Sequence, residues 1–279
     1  MKRCILLIYL FILNGLVITD SSSCDCCDQC FKPQQSTCPE IKYIENGLSG
    51  ASGLSRYWNC CKPSCASKAE ADKGNQSRLC DLEMNRIFDY TTKSKCAGGT
   101  GTACFSQVPF VIDGCDDIGF GFGTIGSSDP NICGRCFLLE FTGEGVWTTK
   151  DTHRALKNKK LIFMGINRGY NDDTHLGFDL LVPGGGEGNY PNACEGIFSG
   201  DLGAKWGGLL ADCQGEAGMT DDIKSNTERR KCLIRKCTES FTGLPREGCL
   251  FYAYFLETAG NPKITYKEIE CPQILKDKY

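Results

Sequence analysis

The 279-residue sequence predicts a mainly β domain held together by disulfide bonds, with long loops and a few short helices. Short β-favouring runs are separated by glycine, asparagine and aspartate, a pattern typical of a β-barrel or β-sandwich. The chain also contains 21 cysteines and 33 glycines. We therefore expect disulfide bonds, rather than a large helical core, to hold long irregular loops in place.

The N-terminus has the pattern of a secretory signal peptide. Lys2 and Arg3 carry basic side chains, and a mainly apolar run over 5–18 follows that is too short to span a membrane. We expect residues 1–23 to be removed and the mature protein to be extracellular, with no membrane association. Cleavage would remove Cys4 and leave an even number of cysteines, which suits pairing in an oxidising compartment.

Residues 24–49 are expected to form a Cys-rich extension and linker, followed by one domain over 50–279. The linker-like composition continues to Ser55. Disulfide bonds are favoured over a zinc site in the extension because no histidine is near and the protein is exported. The sequence leaves open the pairing of Cys24, Cys26, Cys27, Cys30, Cys38 and Cys115.

Within the domain, five strands and two helices are predicted from local patterns. The strand-like runs are 105–112, 136–141, 160–167, 178–183 and 250–257. A short helix is predicted at 81–88. A polar helix is predicted over 220–236, because Thr220 is a good N-cap and two aspartates follow it in the first turn.

Charge and composition limit the chemistry. The net charge is −3, so no basic surplus favours a nucleic acid. Only His153 and His175 are present, which leaves few candidates for a Ser-His-Asp triad or a multi-histidine zinc site. A neutral polymer is the expected partner, carboxylates are the expected catalytic groups, and no cofactor or metal is expected.

Residues 56–65, Arg-Tyr-Trp-Asn-Cys-Cys-Lys-Pro-Ser-Cys, form the most informative motif. Tyr57 and Trp58 offer flat aromatic faces for a sugar ring. Three cysteines fix the turn, and Asn59 is expected to point toward the bound sugar. Lys62 suits either a hydrogen bond to a sugar hydroxyl or a solvated position.

Residues 178–186, Phe-Asp-Leu-Leu-Val-Pro-Gly-Gly-Gly, form a second motif. Alternation along a strand places Phe178 and Leu180 on one face and Asp179 on the other. Apolar neighbours leave the Asp179 carboxyl poorly solvated, which raises its pKa. A carboxyl group that stays protonated near neutral pH can donate a proton to a glycosidic oxygen. On its own the motif is weak evidence for catalysis, because an aspartate before such a turn is more commonly a turn-capping residue than a catalytic one.

Both motifs resemble those of glycoside hydrolase family 45 cellulases, which carry Thr-Arg-Tyr-Trp-Asp-Cys-Cys-Lys-Pro-Ser-Cys and Phe-Asp-Leu-x-x-Pro-Gly-Gly-Gly. Further similar segments lie at 136–141, 205–208 and 261–272, so the resemblance covers roughly residues 50–275. It implies a six-stranded double-psi β-barrel with an open groove for a β-1,4-glucan. It also implies a monomeric, metal-independent endo-β-1,4-glucanase of the inverting type.

The resemblance assigns the general acid to Asp179 and the general base to position 59, where the family has Asp and this chain has Asn59. An amide oxygen can orient a water molecule but cannot accept its proton at neutral pH. Asp172 and Asp173 match the region of an auxiliary aspartate in the family. They are either substitute bases or solvated loop residues.

The resemblance also suggests substrate contacts and disulfide pairs. The expected substrate contacts are Arg56, Tyr57, Trp58, Lys62, Gly184, Gly185 and Trp206. Trp147 suits either a sugar platform or a core position. The expected pairs are Cys60–Cys194, Cys61–Cys96, Cys65–Cys133, Cys80–Cys104, Cys136–Cys271, Cys213–Cys249 and Cys232–Cys237. Asn75 begins an N-glycosylation sequon, which predicts a surface loop.

Two other classes of protein remain open. Expansin-like proteins share the barrel and the acid-site aspartate but lack the base, and they bind or loosen polysaccharide without cutting it. Asn59 makes this a real alternative, although the rest of the 56–65 motif follows the cellulase pattern. A structural Cys-rich coat protein is the third class, and it would bind no glucan.

Overall fold

The computed structural model describes residues 38–127, 129, 131–169, 176–217 and 223–279. The predicted signal peptide and most of the Cys-rich extension therefore lie outside the described residues. The same is true of Asp172, Asp173, His175 and the predicted helix cap Thr220.

Nine strands and six α-helices lie in the described part of the chain. In chain order they are β1 (Ser49–Tyr57), α1 (Lys68–Asp72), β2 (Leu79–Cys80), β3 (Arg86–Ile87), β4 (Phe110–Val111), β5 (Ile118–Gly126), β6 (Cys136–Gly145), α2 (Asp151–Arg154), β7 (Lys160–Gly169), β8 (Gly177–Leu181), α3 (Gly208–Ala217), α4 (Ile223–Ser240), α5 (Gly243–Tyr254), β9 (Pro262–Ile269) and α6 (Gln273–Lys276). Across the described residues, no helix is both long and apolar enough to cross a membrane.

Six of the strands close into a ring in the order β5-β7-β6-β9-β1-β8. The ring closes because β8 pairs in parallel with β1 and antiparallel with β5. The short strand β4 adds to β5 outside the ring, and β2 and β3 form a separate two-stranded sheet. The predicted six-stranded barrel is thereby confirmed.

The barrel strands are apolar on both faces. In β6, Phe137 and Leu139 belong to the cluster that fills the barrel, whereas Leu138 belongs to a second cluster on the outer side. Alternate side chains on a strand point to opposite faces, so a strand covered on both sides carries a continuous apolar run. Inside the barrel, the Phe178 ring meets Phe137 and Phe163 edge-on at centroid distances of 5.5 and 5.4 Å.

Three local predictions of secondary structure are wrong, and a fourth holds only in part. In the predicted strand 105–112, Phe105–Gln107 form a 3₁₀ turn and only Phe110–Val111 form a strand. Segment 250–257 continues helix α5 instead of forming a strand, and Phe251 stacks on Phe255 one helical turn away. Segment 81–88 contains turns and the short strand β3 rather than a helix. The linker-like residues before Ser55 form most of β1, because pairing with β8 and β9 supplies hydrogen bonds that this Gly/Ser-rich segment would not secure alone.

Eight disulfide bonds connect the described residues. Five of the seven expected pairs are present: Cys60–Cys194, Cys61–Cys96, Cys65–Cys133, Cys80–Cys104 and Cys136–Cys271. Cys115, whose partner the sequence left open, bonds to Cys38. These bonds connect segments up to 135 residues apart in the chain, so they restrict the unfolded state strongly.

The two remaining pairs differ from the prediction. The structure joins Cys213 to Cys232 and Cys237 to Cys249, so the expected pairs Cys213–Cys249 and Cys232–Cys237 are wrong. Cys232 and Cys237 lie on one helix, α4, where five residues rise about 7.5 Å and turn about 140°. Disulfide geometry excludes that separation. Instead, α4 is bonded to α3 at one point and to α5 at another.

Tryptic mapping of the unreduced protein is expected to distinguish these pairings. Cleavage after Arg235 and Lys236 separates Cys232 from Cys237, and cleavage after Arg246 separates Cys237 from Cys249. Mass spectrometry should find the peptide 232–235 joined to 206–224, which contains Cys213. A peptide 232–235 joined to 237–246 would contradict the structure.

Candidate active site

Asp179 lies in the middle of β8 with its side chain directed away from the barrel core. The pairing of β8 with β1 and β5 places Asp179 between Ser55 and Thr124. Its neighbours Phe178 and Leu180 are 2% and 0% exposed and belong to the core. The alternation predicted from the sequence is therefore present.

The environment of Asp179 favours its protonated form. Burial raises the pKa of this carboxyl group above its ordinary value, while a hydrogen bond from Ser55 and the charge of Arg56 oppose that rise. Ser55 Oγ donates the hydrogen bond to Asp179 Oδ1. A carboxyl group with a raised pKa keeps its proton to higher pH, which suits a proton donor.

A polar network holds Tyr57 beside Asp179. The Tyr57 hydroxyl hydrogen-bonds to the side chains of Thr124 and Asn167, and burial raises its pKa. Asn167 Nδ2 donates to Thr124 Oγ1 at 3.0 Å, and Asn167 Oδ1 accepts from the Ser64 N–H at 2.9 Å. Tyr57 is half-buried, so only part of its ring surface remains available to a sugar.

Asn59 lies two residues after the end of β1, in a turn packed on the glycines that follow β8. The Trp58 N–H donates to the Gly186 carbonyl at 2.8 Å, which connects the two segments. Asn59 Oδ1 accepts a hydrogen bond from the Cys61 N–H at 3.2 Å. The second lone pair of that oxygen can still orient a water molecule, but a neutral amide cannot accept the proton of that water.

Asn59 and Asp179 lie at the same end of the barrel. Asp179 pairs with Ser55, and Asn59 is four residues further along the chain. Four extended residues span at most about 14 Å. Because β1 and β8 run parallel, the turns that follow both strands meet at one end of the barrel.

The three glycines after β8 are buried and contact backbone. A Cβ on Gly185 would lie 2.9 Å from the carbonyl carbon of Tyr57, so only glycine permits this close approach. The Gly184 carbonyl accepts from the Leu209 N–H at 2.9 Å. The prediction that Gly184 and Gly185 contact substrate is wrong, because the turn instead packs against β1 and the start of α3.

Trp58 and Lys62 are also not available as substrate contacts. Trp58 is 2% exposed and packs against Phe105 and Phe198, so the predicted sugar platform is wrong at this position. Neighbouring residues on an extended chain point to opposite sides, so Tyr57 and Trp58 cannot both face a groove. The Lys62 ammonium donates to the backbone carbonyls of Tyr90 and Thr92 at 2.6 and 2.8 Å, which gives it a structural role.

Arg56 supports the Trp206 loop instead of facing the acid-site surface. It lies on the opposite face of β1 from Ser55, and its guanidinium donates to the Gly207 carbonyl at 3.2 and 3.0 Å. The same group lies over the Tyr252 ring at 5.2 Å. The prediction of direct substrate contact by Arg56 is therefore wrong. Trp206 itself is 63% exposed, as a sugar platform requires.

Trp147 and Asn75 lie outside the group of residues around Asp179. Trp147 is 81% exposed and lines a separate cavity, so it is not a core residue. Asn75 is half-buried, and its Nδ2 donates to the Cys133 carbonyl at 2.8 Å. The amide nitrogen of the sequon is therefore engaged within the fold.

Three polar residues near Tyr57 and Asp179 are not predicted from the sequence, namely Ser55, Thr124 and Asn167. The signal for Ser55 is its spacing of two from Tyr57, which places both on one face of a strand. Thr124 and Asn167 come from strands distant in sequence. Only the closure of the barrel identifies them as neighbours of Tyr57 and Asp179.

The family model "Glycosyl hydrolase family 45" matches residues 49–279. The chain belongs to glycosyl hydrolase family 45. It is 34% identical to "Endoglucanase B" of Cellvibrio japonicus over 82% of this chain and 44% of that protein. The chain therefore spans less than half the length of that relative.

Two further comparisons concern the springtail Cryptopygus antarcticus. The chain is 31% identical to its "Endoglucanase", over 85% of this chain and 92% of the relative. The crystal structure of a cellulase from this Antarctic springtail superposes with a TM-score of 0.61 at 28% identity. The superposition covers 83% of our chain and 96% of the crystal structure's chain. Our chain thus shares the barrel of this family.

Proposed function

We propose that this family 45 protein is a secreted, monomeric endo-β-1,4-glucanase that cleaves a β-1,4-glucan with inversion and without a cofactor. Asp179 donates a proton to the glycosidic oxygen. Asn59 orients the attacking water, and Trp206 stacks on a sugar ring near the reacting bond. The observation that carries the proposal is the poorly solvated Asp179 carboxyl on β8, which accepts a hydrogen bond from Ser55 on the paired strand β1. The two family motifs lie on these two strands and the turns that follow them.

Inverting hydrolysis needs a second carboxylate roughly 6.5–9.5 Å from the acid to act as general base, and Asn59 is not a carboxylate. We propose that Asp172 or Asp173 takes the proton that Asn59 cannot take. Both belong to the segment between β7 and β8, and β8 carries Asp179. Both lie outside the described residues, so this role rests on the sequence alone.

Asn59 also favours a second candidate function. Its Oδ1 already accepts a backbone hydrogen bond, and no carboxylate occupies the family's base position. A protein with an acid-site carboxyl but no base would bind or loosen polysaccharide without cutting it, as expansin-like proteins do.

One assay separates the two functions. Purified protein is incubated with soluble carboxymethylcellulose, and reducing ends, viscosity and binding by affinity electrophoresis are followed together. The proposed glucanase releases reducing ends while viscosity falls early, and proton NMR of fresh cello-oligosaccharide products shows the α-anomer first. Binding without new reducing ends would instead support the non-hydrolytic function, and absence of both would contradict each.

The pH dependence of hydrolysis should report on Asp179. A general acid must be protonated, so activity falls as pH rises through its pKa. Since the pKa of Asp179 is raised, this fall is expected at higher pH than for an ordinary aspartate. Ser55→Ala removes a hydrogen bond that favours the ionised form.

The alkaline limb of the Ser55→Ala pH profile should therefore move to still higher pH. Ser52→Ala is the matched control, because Ser52 lies on the same strand and its hydroxyl donates to the neighbouring Gly53 carbonyl rather than to Asp179. An unchanged alkaline limb in Ser55→Ala, with activity otherwise retained, would argue against Asp179 as the acid.

A further inference from the structure

Trp147 lies in the middle of a fixed turn between β6 and α2. The Val146 N–H donates to the Asn261 carbonyl at 3.0 Å, and the Gly145 N–H donates to Thr149 Oγ1 at 3.3 Å. The turn is thus held on both sides of Trp147, whose side chain is 81% exposed. Because the backbone is already ordered, this flat apolar surface can bind a ligand at a small cost in conformational entropy.

This turn packs on the strand that carries Ser55. A Cβ on Gly53 would lie 2.6 Å from Val146 Cγ2, so Val146 occupies the space that a side chain at position 53 would take. Gly53 and Ser55 face the same side of β1, about 7 Å apart. Ser55 is exposed, and its Oγ donates to Asp179 Oδ1. The turn with the exposed tryptophan therefore adjoins the face of the barrel on which the candidate acid lies.

A cavity of about 290 Å³ opens beside the Trp147 ring. Its size is near the lower end of ligand sites, which are typically about 300–1,000 Å³, and suits one sugar ring. The amides of Gln214 and Asn261 line it, and within the described part of the chain neither side chain hydrogen-bonds to another residue. Each amide can therefore donate to one sugar hydroxyl and accept from another.

The charged groups at this cavity already have partners. Arg56 donates to a backbone carbonyl, and Lys150 and Arg229 have contacts within the protein. His153 Nδ1 accepts from the Lys150 N–H at 2.9 Å, and its Nε2 donates to the Gly260 carbonyl at 2.8 Å. The polar groups that remain for a ligand are neutral amides, so the cavity suits a neutral sugar.

The segment before β9 forms one wall of the cavity and has an unusual backbone. Glu257, Thr258 and Asn261 adopt left-handed conformations, with φ of 54°, 58° and 50°. A positive φ is rare for a β-branched residue such as threonine, and such positions concentrate at functional sites. Thr258 and Asn261 line the cavity. The backbone is therefore a second, independent indication of a ligand site.

We propose that Trp147, with the amides of Gln214 and Asn261, forms a distal subsite for the same β-1,4-glucan chain that binds at Asp179. The inference rests on the proposed function, because it takes the neutral glucan as the ligand. One glucosyl ring stacks on Trp147, and the amides pair with its hydroxyl groups. Trp147 lies several sugar units from the reacting bond, so it contributes to the binding of long chains and takes no part in bond cleavage.

Calorimetric titration of the full chain with cellotriose and cellohexaose tests this proposal, in an Asp179→Asn background that prevents turnover. Cellohexaose should bind more tightly than cellotriose, because only the longer chain reaches from the acid site to Trp147. Trp147→Ala should weaken cellohexaose binding about tenfold, as expected for the loss of one large aromatic contact. Cellotriose should lose little affinity, so the preference for the longer chain should largely disappear.

Two further variants make the test specific. Trp147→Phe keeps a flat ring and should retain most of the affinity for cellohexaose, which separates stacking from a folding defect. Phe88→Ala removes a ring that is 70% exposed and does not line the cavity, and it should leave both affinities unchanged.

The outcomes distinguish the subsite from the proposed function. Unchanged cellohexaose affinity in Trp147→Ala, or equal losses for the two oligosaccharides, would overturn the distal subsite and leave hydrolysis at Asp179 in place. Absence of binding of either oligosaccharide in the Asp179→Asn background would contradict the proposed function and the subsite together.

Discussion

Asp179→Asn is expected to reduce hydrolysis of soluble β-1,4-glucan by about 10²–10⁴-fold, the usual loss when a general acid is removed. The amide has no proton to transfer to the leaving oxygen. The measurement is the initial rate of reducing-end release at matched protein concentration. Asp72→Asn is a suitable control, because Asp72 is an exposed carboxylate paired with Lys68 on α1.

The leaving group makes this test specific for an acid. A 2,4-dinitrophenyl cello-oligosaccharide needs no proton on departure, so Asp179→Asn should lose much less activity on it than on glucan. Equal losses on both substrates would show that Asp179 has another role.

The Asp179→Asn variant should remain folded. The raised pKa of Asp179 means that its ionised form is disfavoured in the native state. The stability that the protonated carboxyl provides is therefore lost as pH rises through that pKa. Asparagine stays neutral at every pH.

If Asp172 or Asp173 supplies the base, as proposed, Asn59→Asp is expected to change hydrolysis little. If the protein has no base, as in the second candidate function, Asn59→Asp is expected to increase hydrolysis by about 10²–10⁴-fold, the contribution of a general base. A carboxylate oxygen can accept the Cys61 N–H as Asn59 Oδ1 does, so the turn should be preserved. The measurement is again reducing-end release. The double variant Asn59→Asp/Asp179→Asn should show no gain, because the acid is then missing.

The size of the gain decides between the two candidate functions. A large increase over an inactive parent would identify the natural protein as a non-hydrolytic binder. Little gain over a parent that already cuts would mean that another carboxylate acts as base, and Asp172→Asn or Asp173→Asn should then abolish activity. No gain over an inactive parent, with the fold retained, would contradict the assignment of position 59.

The orientation and the raised pKa of Asp179 can be predicted from the sequence, because both depend on residues next to it in the chain. Phe178 and Leu180 on either side fix the face to which the carboxyl points, and apolar neighbours raise its pKa. The six-stranded barrel is predicted by the resemblance of the two motifs to those of the family. Ser55 was not identified because its segment, Ser-Gly-Ala-Ser-Gly-Leu-Ser, has the composition of a linker. Its strand structure comes from pairing with β8 and β9.

Other errors have the same origin in long-range contacts. The motif predicts Trp58 as a sugar platform together with Tyr57, although adjacent residues on an extended chain face opposite ways and only one can line a groove. The cysteines of the helical insertion pair between helices, and helix packing cannot be read from spacing. Segment 250–257 is rich in aromatic residues, which favour strands locally, yet it packs as the end of α5.

The Cys60–Cys194 bond fixes the backbone beside position 59 whichever residue is present there. An aspartate codon becomes an asparagine codon through one nucleotide change. In a duplicated gene, one such mutation could convert an enzyme that cleaves a glucan into a protein that binds the glucan without cleaving it. A reversion could restore the cleavage. Both kinds of copy would keep the same cross-linked turn, so selection could act on the chemistry at position 59 without a change of fold.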